Sequence, residues 1–142
     1  GKAGKPVILK RGLAGTVEEW LQSAEYLMAN GCKDVILCER GIRTYETITR
    51  NCLDLGALAA TKRLTHLPIV ADPSHGGGKL ELVVPLSRAA LGAGCDGLLV
   101  ETHPDPKHAF SDAAQQIPSA QFGDYLRAIK PWLDLAQAAR RA

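Results

Sequence analysis

The chain has 142 residues and a formal net charge of +2, from 17 Lys or Arg against 15 Asp or Glu. This near balance excludes a polybasic nucleic-acid-binding arm and an acidic solvating tail. Hydrophobic residues make up 46% of the chain and charged residues 23%, as in a globular domain with a core. No apolar segment approaches the roughly 20 residues of a membrane span, so we predict neither a membrane nor a nucleic-acid partner.

The amino terminus and the cysteines bear on the compartment. Residues 1–6 are basic, but only a short apolar stretch follows them, so they do not form a secretory signal peptide. Because the sequence does not begin with Met, we expect a processed or partial product. Cys32, Cys38, Cys52 and Cys95 include no Cys-x-x-Cys pair, and Cys38 lies within an apolar segment. We therefore predict reduced cysteines and a cytoplasmic location.

Four short apolar segments of the same design predict the strands of a parallel sheet. Each segment is apolar up to a charged last residue, as in strands that are buried on both faces. Successive segments begin about 30 residues apart, which is the size of one strand-helix-strand unit. The predicted strands are residues 6–10, 35–39, 68–72 and 97–101.

Helical patterns fill the intervals and follow the last strand. The first helix begins with a capping box, in which Thr16 is the N-cap and Glu19 is the third helical residue. The second helix is predicted over residues 47–62, and the third interval shows the same apolar spacing. The last helix is predicted from about residue 119 to 140, with a bend or restart at Pro131.

The order β-α-β-α-β-α-β-α is compatible with two α/β folds. One is a small doubly wound open sheet, and the other is a β/α barrel. A complete barrel needs eight strand-helix units and about 250 residues, whereas this chain has four units. The pattern alone therefore leaves a small open domain and half of a barrel as alternatives.

Polar residues follow every predicted strand, at the ends that meet on one face of an α/β fold and bind ligands there. Lys10 and Arg40 suit an anion, since Lys offers a compact charge and Arg a rigid fork of donors. An exposed basic loop is the alternative for Lys10 and Arg11, but the second basic strand end favours the anion site.

The later strand ends offer metal-ligating groups. His75, Glu101 and the nearby Asp112 provide one imidazole and two carboxylates. That mixture fits Mn²⁺, Fe²⁺, Co²⁺ or Zn²⁺ better than a thiolate zinc site. Their spacing matches no local metal motif, so spacing alone favours a non-ligating role for each of them.

These residues, in this order, resemble the C-terminal half of 3-deoxy-D-arabino-heptulosonate 7-phosphate (DAHP) synthase of type Iβ. The most specific string is Cys-Glu-Arg-Gly-Ile-Arg-Thr at residues 38–44. The sister enzyme, 3-deoxy-D-manno-octulosonate 8-phosphate synthase, shares much of the pattern. Lys-Arg-Gly at residues 10–12 and Asp-Pro-Ser-His at residues 72–75 favour the heptulosonate enzyme. The other similar segments are residues 5–9, 16–20, 35–37, 49–51, 53–55, 101–106 and 111–112.

The resemblance implies a (β/α)8 TIM barrel in which residues 1–142 supply the last four units, strands 5–8. It also implies the condensation of phosphoenolpyruvate with erythrose 4-phosphate to 3-deoxy-7-phosphoheptulonate and phosphate, the first step of the shikimate pathway. Lys10 and His75 would be catalytic, and Asp72 would support the site. The implied ligand contacts are phosphoenolpyruvate at Lys10, Arg40 and Arg43, and a divalent metal at His75, Glu101 and Asp112.

The chain also departs from the family pattern. The family's fourth metal ligand, a Cys, and its Lys-Pro-Arg-Thr loop belong to the first half of the barrel. The family usually has Gly-Pro-Gln-Ser after the aspartate ligand, where this chain has Ala113 to Gln116, and we expect the change to shift that loop. We expect a homo-oligomer or a complementing N-terminal half-barrel as partner. The alternative to an enzyme is a non-catalytic half-barrel that serves in binding or assembly.

Overall fold

The main sheet has four parallel strands that are hydrogen-bonded in chain order. The structure is a computed structural model that describes residues 1–141. Right-handed crossovers between sequential neighbours all place their helices on the same face of the sheet, whereas a doubly wound sheet reverses its direction. The order therefore agrees with a segment of a β/α barrel. The strands are β1 (Val7–Lys10), β2 (Val35–Glu39), β3 (Ile69–Ala71) and β4 (Gly97–Leu98).

Five helices accompany this sheet in the described residues. The predicted capping box is present, because Thr16 Oγ1 accepts from Glu19 N at 3.2 Å and Glu19 Oε2 accepts from Thr16 N at 2.8 Å. The last helix continues through Pro131 as one element and begins later than predicted, after a 3₁₀ turn. The helices are α1 (Val17–Ala29), α2 (Leu55–Leu64), α3 (Pro73–Gly77), α4 (Leu80–Gly92) and α5 (Phe122–Arg141).

The helix prediction for residues 47–54 is wrong. α2 begins only at Leu55, where the Asp54 side chain caps the helix by accepting from Ala57 N at 2.8 Å. The preceding backbone bonds to α3 instead of to itself, since Arg50 N donates to Gly77 O and Asn51 N donates to Gly76 O, both at 3.1 Å. This segment therefore lies across the carboxyl end of the sheet.

The segment between β4 and α5 is a long connection that contains two short strands. The predicted strand 97–101 forms ladder pairs only at β4, and Leu99 N then donates to Ala71 O at 2.8 Å. Beyond it, β5 (Thr102–His103) pairs in parallel with β6 (Ile117–Pro118). The intervening chain carries two 3₁₀ turns, Pro106–His108 and Ala113–Gln115.

The two faces of the main sheet differ in burial. Leu37 and Ile69, on the face that packs against the helices, are fully buried. On the opposite face, Ile8 is 49% exposed, and Ile36 and Val70 are only partly buried. In a closed barrel this second face lines the interior. In residues 1–141, no helix is long and apolar enough to cross a membrane.

Candidate metal site at the strand ends

His75, Glu101 and Asp112 come together beyond the carboxyl ends of β3 and β4. His75 Nε2 lies 3.6 Å from Glu101 Oε1 and 3.6 Å from Asp112 Oδ2. One ligand atom of each residue lies within 4.8 Å of the other two, and all three side chains are partly buried. The structure thus collects the three residues into one cluster. One imidazole nitrogen and two carboxylate oxygens form a donor set that fits a divalent transition metal.

Asp72 orients the imidazole of His75. The buried Asp72 carboxylate lies with Oδ2 2.7 Å from His75 Nδ1, and its Oδ1 accepts from His75 N at 2.9 Å. A carboxylate can only accept, so Nδ1 carries the proton of a neutral His75 ring. The lone pair of Nε2 is then directed at Glu101 and Asp112, as a metal ligand requires.

The local sequence explains how His75 is positioned. Asp72 is the N-cap of α3, Pro73 is its first residue, and Gly78 ends it in the left-handed conformation at φ 71°. Proline fits the first turn of a helix, and glycine fits the left-handed cap. The single turn between them places His75 three residues after its carboxylate partner, directly above the end of β3.

Lys10 reaches the same cluster from β1. Its Nζ donates to Asp72 Oδ2 at 3.0 Å, and its side chain is 40% exposed. Since β1 and β3 are separated by β2, the Lys10 and Asp72 side chains together bridge the roughly 10 Å between the two strands. Asp72 therefore joins the predicted anion-binding lysine to the predicted metal-ligating histidine.

The two other predicted anion-binding residues lie on the segment that follows β2. Lys10 pairs in register with Cys38, and Arg40 is two residues further on, so strand alternation places Arg40 on the face of Lys10. Arg40 is partly buried and Arg43 is exposed. Neither side chain has a hydrogen-bond or ion-pair partner within residues 1–141.

Not every charged residue at a strand end faces this site. Arg11 donates through Nη1 to Glu39 Oε2 at 2.9 Å and to Asp54 Oδ2 at 3.3 Å. Arg11 and Glu39 are buried on the helix side of the sheet. Because neighbouring residues of a strand face opposite ways, Lys10 and Arg11 serve two different clusters.

Two residues of the site were missed by the sequence reasoning. Arg50 Nη1 donates to Asp112 Oδ1 at 2.5 Å and to Gln115 Oε1 at 2.9 Å. Gln115 Nε2 donates to Glu101 Oε2 at 2.6 Å. The hydrogen bond from Arg50 holds the pKa of Asp112 below its usual value. The only sequence signal for Arg50 was its place in the Thr-Arg-Asn string that resembles the family.

The expected displacement of the loop after Asp112 does not move this residue away from the cluster. Asp112 itself takes the left-handed conformation, with φ 58°, which aspartate tolerates better than most residues. Ala113 then begins a 3₁₀ turn without needing positive φ. The substitution of glycine by alanine is therefore compatible with the position of the aspartate.

Comparison with known proteins places these observations in a family. The chain matches the model of the DAHP synthetase I family over residues 1–136. It is 48% identical over 134 residues to the phospho-2-dehydro-3-deoxyheptonate aldolase of Thermotoga maritima, covering 94% of this chain and 40% of that protein. The 2-dehydro-3-deoxyphosphooctonate aldolase of Acidithiobacillus ferrooxidans is 34% identical over 140 residues, covering 90% of this chain and 48% of the relative.

Solved structures show the same fold. A truncated form of 3-deoxy-D-arabino-heptulosonate 7-phosphate synthase from Thermotoga maritima has a TM-score of 0.88 at 48% identity, covering 93% of this chain and 50% of that one. A second structure of the phospho-2-dehydro-3-deoxyheptonate aldolase from that organism has a TM-score of 0.89 and the same identity, covering 93% and 39%. The prediction of a partial β/α barrel is thereby confirmed, and the chain spans half or less of these relatives.

Proposed function

Because the chain belongs to the DAHP synthetase I family, we propose that it forms the C-terminal half of a barrel that condenses phosphoenolpyruvate with erythrose 4-phosphate. The products are 3-deoxy-7-phosphoheptulonate and phosphate, and the reaction takes place in the cytoplasm. The observation that carries the proposal is the continuous set of contacts from Lys10 through Asp72 to His75 at the strand ends. It supports an anion-binding charge and a metal-ligand set within one site.

Phosphoenolpyruvate presents a phosphate and a carboxylate, and the proposal assigns them to the basic residues at the ends of β1 and β2. Arg40 is partly buried yet has no internal partner in residues 1–141, so its guanidinium donors are available for a bound anion. Lys10 Nζ adds a second charge that Asp72 holds in place at 3.0 Å. The exposed Arg43 supports the anion from the rim.

The cluster of His75, Glu101 and Asp112 would hold the divalent metal. The fit rests on the donor chemistry, since the Nε2 lone pair and one oxygen of each carboxylate face one another. When bound, the metal supplies a Lewis acid that polarises the aldehyde oxygen of erythrose 4-phosphate. Mn²⁺, Fe²⁺, Co²⁺ and Zn²⁺ all suit these ligands.

The remaining steps depend on side chains that stabilise the negative charge of the substrate and of the departing phosphate. The alkene carbon of phosphoenolpyruvate attacks the aldehyde carbon, water adds at C2, and phosphate leaves by cleavage of the C–O bond. Lys10 Nζ stabilises the negative charge of phosphoenolpyruvate and of the departing phosphate. Asp72 keeps both Lys10 and His75 oriented, so one carboxylate positions the two halves of the site.

The sheet face that carries Ile8 is partly exposed, and we expect a partner to cover it. Ile8 is 49% exposed there, and a closed barrel would bury it. We propose a complementing N-terminal half-barrel as the partner, with a second copy of the chain as the alternative. The sister octulosonate reaction is the less favoured activity, because the relatives named for it are only 32–35% identical to this chain.

The test is complementation. The purified chain is combined with the N-terminal half of the Thermotoga maritima relative, and complex formation is checked by size-exclusion chromatography. We expect loss of phosphoenolpyruvate and release of phosphate that need erythrose 4-phosphate and Mn²⁺ and that a chelator abolishes. A stable complex that binds phosphoenolpyruvate and Mn²⁺ without any turnover would favour the non-catalytic binding module instead.

A further inference from the structure

We propose that Arg50 and Gln115 form a bracket that positions the two carboxylates of the candidate metal site and keeps each of them monodentate. The inference rests on the proposed function, because it takes His75, Glu101 and Asp112 as the metal ligands. It assigns Arg50 and Gln115 as positioning residues that act through those ligands. A consequence is selectivity for small transition-metal ions over Ca²⁺.

The bracket occupies one oxygen of each carboxylate and leaves the other oxygen free. Arg50 Nη1 takes Asp112 Oδ1 at 2.5 Å, and Gln115 Nε2 takes Glu101 Oε2 at 2.6 Å. The other two oxygens, Asp112 Oδ2 and Glu101 Oε1, are the ones that lie 3.6 Å from His75 Nε2. Asp72 acts similarly on the His75 imidazole, because it hydrogen-bonds to Nδ1 and leaves Nε2 free.

Arg50 also fixes the direction of the Gln115 amide. Its Nη1 donates to Gln115 Oε1 at 2.9 Å, which turns the amide nitrogen toward Glu101. A flipped amide would set its oxygen against a carboxylate and its nitrogen against a guanidinium, replacing two hydrogen bonds by two repulsive contacts. Gln115 is only 1% exposed, so water has little access to compensate for such a flip.

The backbone of Arg50 is tied to the helix that carries His75. Arg50 N donates to Gly77 O at 3.1 Å, and the next residue, Asn51, donates through Nδ2 to His75 O at 2.8 Å. A side chain at Gly78 would collide with the Arg50 side chain, so glycine there makes room for the arginine. The bracket therefore fixes the positions of the Glu101 and Asp112 carboxylates relative to the His75 imidazole.

The expected selectivity follows from how cations use carboxylates. Ca²⁺ accepts bidentate carboxylates and six to eight oxygen ligands, whereas transition metals accept fewer donors in a tighter geometry. A carboxylate with one oxygen engaged by Arg50 or Gln115 offers only its second oxygen to a cation. Removing the bracket frees both oxygens of Asp112 and Glu101, which weakens Mn²⁺ binding and relaxes the preference against Ca²⁺.

The test measures Mn²⁺ and Ca²⁺ affinities by calorimetry on the full chain, without any activity assay. We expect Arg50→Met to lower Mn²⁺ affinity about 10- to 100-fold and to lower the Mn²⁺/Ca²⁺ affinity ratio. Gln115→Met, which removes the donor to Glu101 Oε2 and the acceptor for Arg50, should weaken Mn²⁺ binding by at least about tenfold. The matched control is Arg127→Met, which removes an exposed arginine–aspartate pair with Asp124 on α5 and should leave both affinities within about twofold.

Circular dichroism melting establishes that each variant is folded. Should Arg50→Met fail to fold, Arg50→Ala replaces it, because alanine offers no donor to Asp112 or to Gln115. A folded Arg50 variant with wild-type Mn²⁺ affinity and an unchanged Mn²⁺/Ca²⁺ ratio overturns the bracket. If His75→Ala also leaves Mn²⁺ binding unchanged, the metal site itself is wrong, which separates failure of the proposed function from failure of the bracket.

Discussion

Lys10 and Arg11 are neighbours in the chain, yet they belong to two opposite kinds of charged cluster. Arg11 is 6% exposed and its partners are all internal: the carboxylates of Glu39 and Asp54 and the backbone oxygen of Gly15. Lys10 is 40% exposed and shares Asp72 with His75. The first cluster, Arg11 with Glu39 and Asp54, is a closed cluster, because its charges pair within the protein. The second, His75 with Glu101 and Asp112, is an open cluster, because its candidate metal-ligand atoms face one another without a hydrogen-bond partner in residues 1–141.

The difference teaches how a polar strand end should be interpreted. In the closed cluster Glu39 Oε2 accepts from Arg11, and Glu39 Oε1 accepts from Gly41 N at 2.8 Å. In the open cluster one atom of each ligand group is engaged and the other faces the common centre. Closed clusters support the fold, and open clusters at strand ends are suited to ligands.

The largest expected effect breaks the closed cluster. Arg11→Met leaves the buried Glu39 carboxylate without its cation, so we expect the free energy of unfolding to fall by about 3–5 kcal/mol. Lys10→Met should cost less than about 1.5 kcal/mol, because its side chain is partly solvated and Asp72 keeps its bonds to His75. Urea unfolding followed by circular dichroism measures both values, and equal losses would contradict the distinction between the clusters.

The next effect concerns the open cluster. Asp72→Asn presents an amide to Lys10 and to His75 Nδ1, which favours the histidine tautomer with its proton on Nε2. We expect Mn²⁺ affinity to fall about 10- to 100-fold in calorimetry, and the nitrogen NMR shifts of His75 to report the changed tautomer. Asp96→Asn is the control, because Asp96 pairs with Lys62 before β4, and its Mn²⁺ affinity should match wild type.

The smallest effect is a difference in thiol reactivity. Burial raises the pKa of Cys38 to about 12 and that of Cys95 to about 11, whereas Cys52 is exposed. At pH 8 we expect iodoacetamide to label Cys52 in the native chain and to leave Cys38 and Cys95 unlabelled. Mass spectrometry of the peptides measures this, with urea-unfolded chain as the control. Rapid native labelling of Cys38 would show that the open face is less shielded than its burial indicates.

The sequence predicted the fold best where the signal is local. Four apolar strand segments and the capping box of Thr16 and Glu19 appear at or near their predicted places. Residues 47–54 were wrongly assigned to a helix, because Arg50 and Asn51 donate their backbone N–H groups to Gly77 and Gly76, more than twenty residues away. Helical spacing of apolar residues carries no information about such remote hydrogen bonds.

The candidate site was predicted in part. His75, Glu101 and Asp112 were chosen from their residue types and the family resemblance, and the structure collects them. Arg50 and Gln115 were missed, since neither follows a strand and their contacts join segments far apart in sequence. The burial of Arg11 was also missed, because it depends on strand register, which places neighbouring side chains on opposite faces.

The most direct test of the central claim is a calorimetric titration of Mn²⁺ into the wild-type chain and into folded His75→Ala. If the open cluster at the strand ends is the metal site, wild type binds about one ion per chain, and the variant loses affinity by at least about 100-fold, since the only nitrogen ligand of the cluster is gone. Equal binding by the two proteins would contradict the account.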